Sequence, residues 1–245
     1  MAIYEDFARV YDDIMDQSLY DAWYDFTVRH MSKDTKKILE LACGTGKLSL
    51  KFASEGYKVY GLDFSEEMLT IAYNRAVDAD VDVAWIEGDM RDLGQIDTYD
   101  LVTCYSDSIC YMPNQEEVQK VFDEVYGSLN EGGTFIFDVH SIHQIDDVFP
   151  GYSYHENDED FAFVWDSYPG EEEHSITHEL TFFVQDETDG KFNRRDEVHD
   201  ERTYSIYNYQ IMLENAGFDD VKVYADFEDK EPTEESARWF FVAKK

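Results

Sequence analysis

The sequence predicts an α/β fold: a mostly parallel β-sheet with helices on both faces, and a second, antiparallel sheet inserted late in the chain. Three observations predict it. Short apolar runs alternate with amphipathic helical patterns over residues 36–139, which is typical of a parallel sheet with helical crossovers. A glycine-containing turn follows the first apolar run at residues 42–46. After about residue 145 the helical patterns give way to strand-like alternation.

The amino-terminal part of the chain has the periodicity of helices. Large side chains recur at helical spacing in two groups, which predicts helices over residues 1–35. The first group is Tyr4, Phe7, Ala8 and Tyr11, and the second is Leu19, Trp23, Phe26 and His30.

The central part of the chain supplies five strands and the helices between them. Gly56 ends the helix that follows the glycine turn, and Ser65 is a favourable N-cap for the next helix. Two glycines at residues 132–133 break the last helix. The predicted strands are residues 36–41, 58–63, 81–86, 100–105 and 134–139, and the predicted helices are about residues 47–55, 65–76 and 113–129.

The inserted sheet is predicted from three alternating segments that no helical pattern separates. They are residues 161–165, 174–184 and 191–206. We therefore divide the chain into a core, residues 1–145 and 204–245, and an inserted antiparallel subdomain, residues 146–203.

After the insertion the chain returns to the core. Residues 207–216 have a helical pattern that Gly217 ends, and residues 221–227 and 238–243 read as two further strands. These two strands bring the main sheet to seven.

The composition indicates a globular protein, with 43% hydrophobic residues among 245. The cysteines, Cys43, Cys104 and Cys110, lack a metal-binding or disulfide-type spacing, so buried thiols in a reducing compartment are expected. We expect no signal peptide, because residues 1–10 are acidic and amphipathic and have no apolar core. We expect no membrane span, because no apolar run approaches about 18 residues. The expected location is cytoplasmic.

The charge is strongly negative, with 55 acidic and 20 basic residues and a formal net charge of −35. Such a surface repels nucleic acid and anionic membranes, so neither is expected as a partner. Two interpretations stay open: solubility or adaptation to salt, and attraction of a cationic substrate.

Ligands of such a sheet bind at the carboxyl ends of its strands. Gly44 and Gly46 let the first turn bend sharply and approach a ligand closely. Dinucleotides and S-adenosylmethionine both bind turns of this kind. A dinucleotide turn reads G-x-G-x-x-G, but Ser49 stands at the third glycine and the acidic Glu40 precedes the turn. Glu40 suits a ligand that carries an ammonium group.

From this turn onward the chain resembles the class I S-adenosylmethionine-dependent methyltransferases. Residues 40–46 resemble their first motif, with Ala42 where many members have a glycine. Asp63 resembles the acid that holds the ribose hydroxyls, and residues 88–90 resemble the segment that reads the adenine edge. The last two strands resemble their terminal hairpin. The resemblance implies a Rossmann-like, seven-stranded, mostly parallel sheet with an antiparallel last strand.

The resemblance also implies S-adenosyl-L-methionine as the cofactor and a set of residues that bind it. Tyr11 would belong to an amino-terminal helical lid, or its helix would simply pack on the sheet. Met68 would touch the adenine, or serve as core. The expected cofactor-binding residues are Tyr11, Glu40, Ala42, Gly44, Gly46, Asp63, Phe64, Met68, Asp89, Met90, Cys104 and Tyr105.

Methyl transfer is an in-line displacement at a sulfonium carbon, so the protein contributes mainly proximity and orientation. A general base matters only where the acceptor must lose a proton, and no catalytic residue is obligatory. The candidates near the pocket mouth are Tyr111, His140, His143, His199, Arg202 and Tyr204. Of these, His140, Tyr111 and His199 are the predicted catalytic residues. The sequence predicts no metal site.

The expected acceptor is a small molecule that the inserted subdomain covers. Residues 105–108 read Tyr-Ser-Asp-Ser, where amino-methylating enzymes of nucleic acid carry an Asn-Pro-Pro-Tyr-type sequence. A protein or tRNA acceptor stays open, although the charge disfavours tRNA. The aromatic residues of the insertion form either its core or a box for an amine.

Two other functions stay open on the sequence alone. An NAD(P)-dependent oxidoreductase shares the fold, although Ser49 and the terminal hairpin count against it. A non-catalytic cofactor-binding module would use the acidic surface to hold a basic protein partner.

Overall fold

The computed structural model of the protein describes residues 16–94, 97–186 and 188–245. The first part of the predicted amino-terminal helices, residues 1–15 with Tyr11, lies outside the described residues. The elements of the core up to the insertion are α1 (Gln17–His30), β1 (Lys37–Leu41), α2 (Lys47–Ser54), β2 (Lys58–Asp63), α3 (Glu66–Asp78), β3 (Val83–Glu87), β4 (Tyr99–Cys104), a 3-10 helix (Ser108–Tyr111), α4 (Gln115–Ser128) and β5 (Leu129–His140).

The remaining elements begin with a π-helical turn and the four strands of the insertion, and end with the terminal hairpin. They are the turn at Gln144–Val148, β6 (Ser153–Asn157), β7 (Phe161–Pro169), β8 (Ser175–Gln185), β9 (Phe192–Arg202), α5 (Ile206–Ala216), β10 (Asp220–Ala225) and β11 (Arg238–Lys244).

The main sheet has seven strands in the order β10-β11-β5-β4-β1-β2-β3. The strands from β5 to β3 are parallel neighbours, whereas β11 runs antiparallel to both β5 and β10. This confirms the predicted mostly parallel, seven-stranded sheet with an antiparallel last strand. The strand order reverses between β1 and β4, which is the switch point where open α/β sheets bind ligands.

Helices cover both faces of this sheet, so its central strands are apolar on both sides. On one face, Trp23 and Phe26 of α1 and Phe52 of α2 pack on the sheet. On the other face, Phe122 of α4 and Tyr209 of α5 pack against it. Each of these five side chains is at most 2% exposed. The main sheet is therefore buried between two helical layers.

The insertion is a separate antiparallel sheet in the order β6-β7-β8-β9. Its buried aromatic side chains are Phe161 and Phe163 of β7 and Phe182 of β8, which form a small cluster of their own. Leu180 and Trp165 extend this cluster. Phe161, Phe163 and Phe182 therefore form the core of the insertion with half-buried Trp165 packed against them, whereas Phe183 is half-buried outside this cluster.

Three element boundaries differ from the predictions. β6 was not predicted because it is an edge strand with mostly exposed, polar residues. β5 begins at Leu129, so residues 132–133 lie within a strand; Gly132 has a φ of +77°, and the pairing with β4 shifts register between Tyr99 and Leu101. The last insertion strand ends at Arg202, ahead of the turn that leads into α5. Among the described residues, no helix is long and apolar enough to cross a membrane.

Candidate active site

Glu40 is a buried carboxyl group near the carboxyl end of β1. Its partner is the Ser49 hydroxyl, which donates a hydrogen bond to Oε2. Burial raises the pKa of Glu40 to about 8, and the nearby charge of Asp63 adds to the shift. A nearby cation would stabilise the carboxylate form of this buried group, because a neighbouring positive charge favours the ionised form.

The Asp63 carboxylate links the carboxyl ends of β1 and β2. Its Oδ2 accepts a hydrogen bond from the Gly44 N–H at 2.8 Å, and its Oδ1 accepts one from the Ser65 N–H at 2.9 Å. Burial raises the pKa of Asp63, and these N–H groups oppose that rise. The same side chain therefore fixes both the turn after β1 and the start of α3.

The turn after β1 depends on left-handed backbone conformations. Ala42, Gly44 and Gly46 have φ values of 51°, 52° and 76°. A Cβ on Gly46 would lie 2.5 Å from the Trp85 ring and 2.8 Å from the Ala72 side chain, so glycine is required there by both backbone and space. Ala42 adopts the conformation for which glycine is better suited.

Asp89 follows β3 and pairs with its neighbour Arg91, whose Nε lies 2.9 Å from Oδ1. Arg91 also bonds Glu117 of α4 at 3.0 Å. These hydrogen bonds hold the pKa of Asp89 below its usual value. The carboxylate therefore faces an arginine of its own loop, and the backbone of Met90 follows it on the same loop.

The predicted cofactor residues after β2 differ in exposure. Phe64 is 82% exposed at the open edge. Met68, one turn into α3, packs against the aromatic cluster of the insertion. Met90 is half-buried and packs against the main core.

Cys104 and Tyr105, at the end of β4, are buried in the protein rather than presented at the edge. The Tyr105 ring stacks on Trp23 at 5.9 Å between ring centroids, and its hydroxyl lies 2.6 Å from that of Thr27. Burial raises the pKa of the Cys104 thiol and of the Tyr105 phenol. Both residues can meet a ligand only through their backbone.

A cluster of buried charged residues lies at the carboxyl end of β5. Arg238 bonds Asp138 at 2.7 Å and also pairs with Asp107. Asp107 lies 3.2 Å from Nε2 of His140, and Glu201 of β9 lies 3.5 Å from the same nitrogen. His140 is 8% exposed. The structure thus encloses His140 between two carboxylates, and its role as the base that faces the acceptor stays a prediction.

This cluster contains more acidic groups than basic groups. Burial alone would raise the pKa of Asp107, but Arg238 and His140 hold it well below its usual value. Burial and the charge of Asp107 raise the pKa of Glu201 to about 7. Ligand atoms of Asp107, His140 and Glu201 lie within 4.8 Å of one another, but the Arg238 guanidinium on Asp107 opposes a second cation there.

Tyr111 and His199, the other two catalytic candidates, are in contact. The Tyr111 hydroxyl lies 3.0 Å from Nδ1 of His199. On the other side of the ring, Nε2 lies 3.1 Å from Oε2 of Glu197, and Arg195 Nε bonds Oε1 of the same carboxylate at 3.0 Å. Tyr111 is 42% exposed. The three β9 residues alternate along the strand, so they share one face of the inserted sheet.

The inserted sheet reaches the core at several points along its carboxyl edge. Met68 contacts its aromatic cluster near the end of β2, Tyr111 contacts His199 after β4, and His140 meets Glu201 at the end of β5. One face of the insertion therefore spans the edge from β2 to β5.

Several residues of this site were not predicted from the sequence. Glu197, Glu201 and Arg238 belong to it only because distant segments meet. The alternation of charged residues and histidine at positions 195, 197, 199 and 201 was the one available signal, since such a pattern places all four on one face of a strand.

The chain is similar to known methyltransferases. A family model described as "Methyltransferase domain" matches residues 38–133. A protein of Geobacillus sp. (strain WCH70) named "Putative methyltransferase GWCH70_2453" is 41% identical over 246 residues, covering 99% of each chain.

Two solved structures share the fold over nearly the whole chain. An S-adenosylmethionine-dependent methyltransferase from Clostridium acetobutylicum ATCC 824 superposes with a TM-score of 0.85 at 26% identity, covering 99% of this chain and 98% of the other. CalS10 from Micromonospora echinaspora, an amino pentose methyltransferase with S-adenosylmethionine bound, superposes with a TM-score of 0.74 at 20% identity, covering 99% and 96%.

Proposed function

The chain belongs to the S-adenosylmethionine-dependent methyltransferases, and on that premise we propose that it methylates a small molecule held between the core and the inserted sheet. The observation that carries this proposal is the coverage of the carboxyl edge by one face of the insertion, from Met68 to His140. A covered edge admits a small acceptor more readily than a polymer. CalS10, an amino pentose methyltransferase, has the same fold over nearly the same length.

We propose that the cofactor lies along the ends of β1, β2 and β3. Glu40 is suited to its ammonium group, because a cation there would favour the ionised carboxylate. Asp63 has acceptor capacity left for the ribose hydroxyls, since each carboxylate oxygen can accept more than one hydrogen bond. The backbone of Met90 and the side chain of Asp89 would meet the adenine, with Arg91 as a competitor for that carboxylate.

The residue division that we propose follows from this arrangement. Residues 1–145 and 204–245 form the methyltransferase core, and residues 146–203 cover the acceptor. The lid role of residues 1–15, including Tyr11, remains a prediction.

The bound cofactor supplies an activated methyl group on a sulfonium. The protein holds the acceptor in line with that group and keeps water away, and proximity of this kind is worth up to about 7–11 kcal/mol of the barrier. Glu40 and Asp63 would fix one end of the methyl donor. The inserted sheet would fix the acceptor opposite it.

The test has two steps. Thermal unfolding with S-adenosylhomocysteine or with NADH measures whether the predicted ligand binds, and only S-adenosylhomocysteine is expected to raise the midpoint. Release of S-adenosylhomocysteine is then followed with a panel of primary amines, secondary amines, phenols and carboxylic acids. Turnover of a protein or tRNA preparation but of no small molecule would contradict the proposed acceptor class.

A further inference from the structure

A cavity of about 380 Å³ lies between the core and the inserted sheet. Met112 and Pro113 line it from the core, just after the 3-10 helix, and Ile176 of β8 and the end of β9 line it from the insertion. Its volume falls within the range of about 300–1,000 Å³ that is typical of small-molecule sites. The cavity therefore has the place and the size that a small acceptor needs.

The polar lining of this cavity is strongly acidic. Of its four carboxyl side chains, Glu201 is only 5% exposed and so lies deepest. Among the described residues, the basic side chain that lines the cavity is Arg202, whose Nη1 lies 3.4 Å from Oε2 of Glu172 and whose Nε bonds the Glu173 carbonyl at 3.1 Å. The lining thus carries a surplus of negative charge. The three exposed acids at the mouth are Glu171, Glu172 and Asp200.

The buried Glu201 carboxyl has one oxygen without a hydrogen-bond donor. Tyr111 makes a side-chain hydrogen bond to this carboxyl, but Oε2 is buried and accepts none from the part of the chain that the structure describes. Nε2 of His140 lies 3.5 Å from Oε2, and Nε2 of His178 lies 3.9 Å from Oε1; both distances exceed an ordinary hydrogen bond. Burial without a donor costs the hydration of that oxygen. A ligand that brings an N–H to Oε2 would offset this cost.

The charges around Glu201 favour a cationic ligand. Burial raises the pKa of Glu201 to about 7 and the charge of Asp107 adds to the rise, so an incoming cation would favour the ionised form. Cys110 also lines the cavity, and burial raises the pKa of its thiol, which is therefore uncharged. Arg238 pairs with Asp107, and His140 lies between Asp107 and Glu201. A cation that enters through the cavity therefore meets Glu201 before it approaches Arg238.

The arrangement suits an ammonium group better than a metal ion. A metal ion needs several ligand atoms that converge on one point. Within the described ranges, the side chains that converge in this way with Glu201 are Asp107 and His140, and the acids at the mouth of the cavity are not among them. The walls beside Glu201 include Met112 and Ile176, which are apolar and at most 8% exposed. Such walls fit a short hydrocarbon body that carries the ammonium group.

We propose that this cavity is the acceptor site and that it takes a primary or secondary amine, held by its ammonium group against Glu201. The inference rests on the proposed function and narrows the acceptor from a small molecule to an amine. The N–H groups of the amine donate to Oε2 of Glu201, and its hydrocarbon part lies on the apolar walls. The exposed acids at the mouth attract the cation. A carboxylic acid would instead be repelled by this lining.

The binding test uses the full chain with S-adenosylhomocysteine and takes ethylammonium chloride as the probe. Total chloride is held at about 1 M with sodium chloride, where the Debye length is about 3 Å and repulsion among the surface acids is screened. Replacing part of the sodium with ethylammonium is expected to raise the thermal midpoint. Tetramethylammonium, which has no N–H to donate, is not expected to raise it. Equal midpoints in sodium and ethylammonium chloride would overturn the inference.

Two variants assign the effect of ethylammonium to the cavity. Glu201→Gln keeps the shape of the side chain and removes its charge, so the effect should be lost. Asp200→Asn, at the exposed mouth, keeps an oxygen for the Thr177 hydroxyl and should weaken the effect, which tests the cavity without a buried change. Glu179→Gln, on the exposed face of β8, is the matched control and should behave like wild type. An effect of wild-type size in both cavity variants would contradict the proposed site.

Turnover then shows whether the bound amine is the acceptor. Release of S-adenosylhomocysteine is compared for n-propylamine against 1-propanol and for ethanolamine against ethylene glycol, and the amine of each pair is expected to react faster. Release with the oxygen compounds alone would overturn the amine class. Failure of S-adenosylhomocysteine to stabilise the protein counts against the proposed function. A protein that it stabilises, but that responds to ethylammonium as to sodium, counts against this inference alone.

Discussion

The Asp63 carboxylate, at the end of β2, accepts a hydrogen bond of 2.8 Å from the backbone N–H of Gly44, in the turn after β1. Its other oxygen accepts one from Ser65 at 2.9 Å. One side chain thus ties together the two strand ends that we propose hold the cofactor. A change at Asp63 should therefore affect stability and ligand affinity together.

Replacing Asp63 with alanine is expected to destabilise the protein and to weaken S-adenosylhomocysteine binding by roughly 1–3 kcal/mol each, because buried N–H groups lose their acceptor. Asp63→Asn should have a smaller effect on stability, since one amide oxygen remains. Urea unfolding and isothermal titration calorimetry measure the two effects. Asp78→Asn, on the exposed end of α3, is the control, and unchanged affinity in folded Asp63→Ala would exclude Asp63 from the cofactor site.

Gly46 should be the least replaceable residue of the turn. Alanine there needs a φ near +76° and places its Cβ 2.5 Å from Trp85, so both strain and collision oppose it. We expect Gly46→Ala to cost several times more than Gly44→Ala, which costs about 1–2 kcal/mol because nothing lies within 4 Å of its Cβ. Urea midpoints at unchanged m-values measure the difference, and equal costs would show that the turn can shift.

The turn shows which parts of such a site a sequence can predict. Residues 40–46 and Asp63 were predicted because local chemistry defines them: a strand end, a glycine turn and an acid. The burial of His140 was not, because Asp107 and Glu201 reach it from two other segments of the chain, and Arg238 reaches Asp107 from a third. Tyr111 and His199 were both proposed from the sequence, but their contact depends on how the inserted sheet sits on the core.

Buried acids should make the ligand-free protein less stable as the pH rises. Glu40 has its pKa raised from 4.5 to about 8 by burial, and Glu201 has its pKa raised from 4.5 to about 7 by burial and by Asp107. Between pH 4.5 and these raised pKa values, Glu40 and Glu201 hold more protons in the folded state than in the unfolded state. The free energy of unfolding therefore falls as the pH increases. The fall should run to about pH 8 and be shallower below about pH 6.5, because burial lowers the pKa of His178 from 6.5 to about 4 and its contribution to stability rises with pH in that range.

Glu40→Gln is expected to reduce the decrease of the free energy of unfolding toward pH 8, because an amide does not titrate. Glu55→Gln, at an exposed helix end, should leave it unchanged. Saturating S-adenosylhomocysteine should also reduce the fall, since its ammonium group would favour ionised Glu40. Urea unfolding at half-unit pH steps gives the profiles, and a rise in stability from pH 5 to pH 8 would contradict the burial of these two carboxyl groups.

The net charge of −35 should make the protein more stable in salt. Repulsion among the acidic groups acts over the Debye length, which shortens from about 10 Å at 0.1 M to about 3 Å at 1 M. We expect the thermal midpoint to rise steeply as the salt concentration increases to about 0.5 M. The rise should be similar in sodium chloride and in potassium chloride. Sucrose at matched osmolality should raise it without that steep initial part, and a midpoint independent of chloride concentration would mean that the charges are already well separated.

Arg238 should be the most destabilising of the charged residues to remove. It lies between Asp107 and Asp138, both buried, and removing one member of a buried ionic group typically costs about 3–5 kcal/mol because the remaining charges are left uncompensated. Arg238→Met keeps much of the side-chain length and removes only the charge and hydrogen bonds.

Arg194→Met is the matched control, since Arg194 makes an exposed pair with Asp196 that is worth about 0–1 kcal/mol. Urea unfolding measures both, and Asp138→Asn in the Arg238→Met background should recover part of the loss. Equal costs for Arg238→Met and Arg194→Met would show that water reaches the cluster and screens its charges.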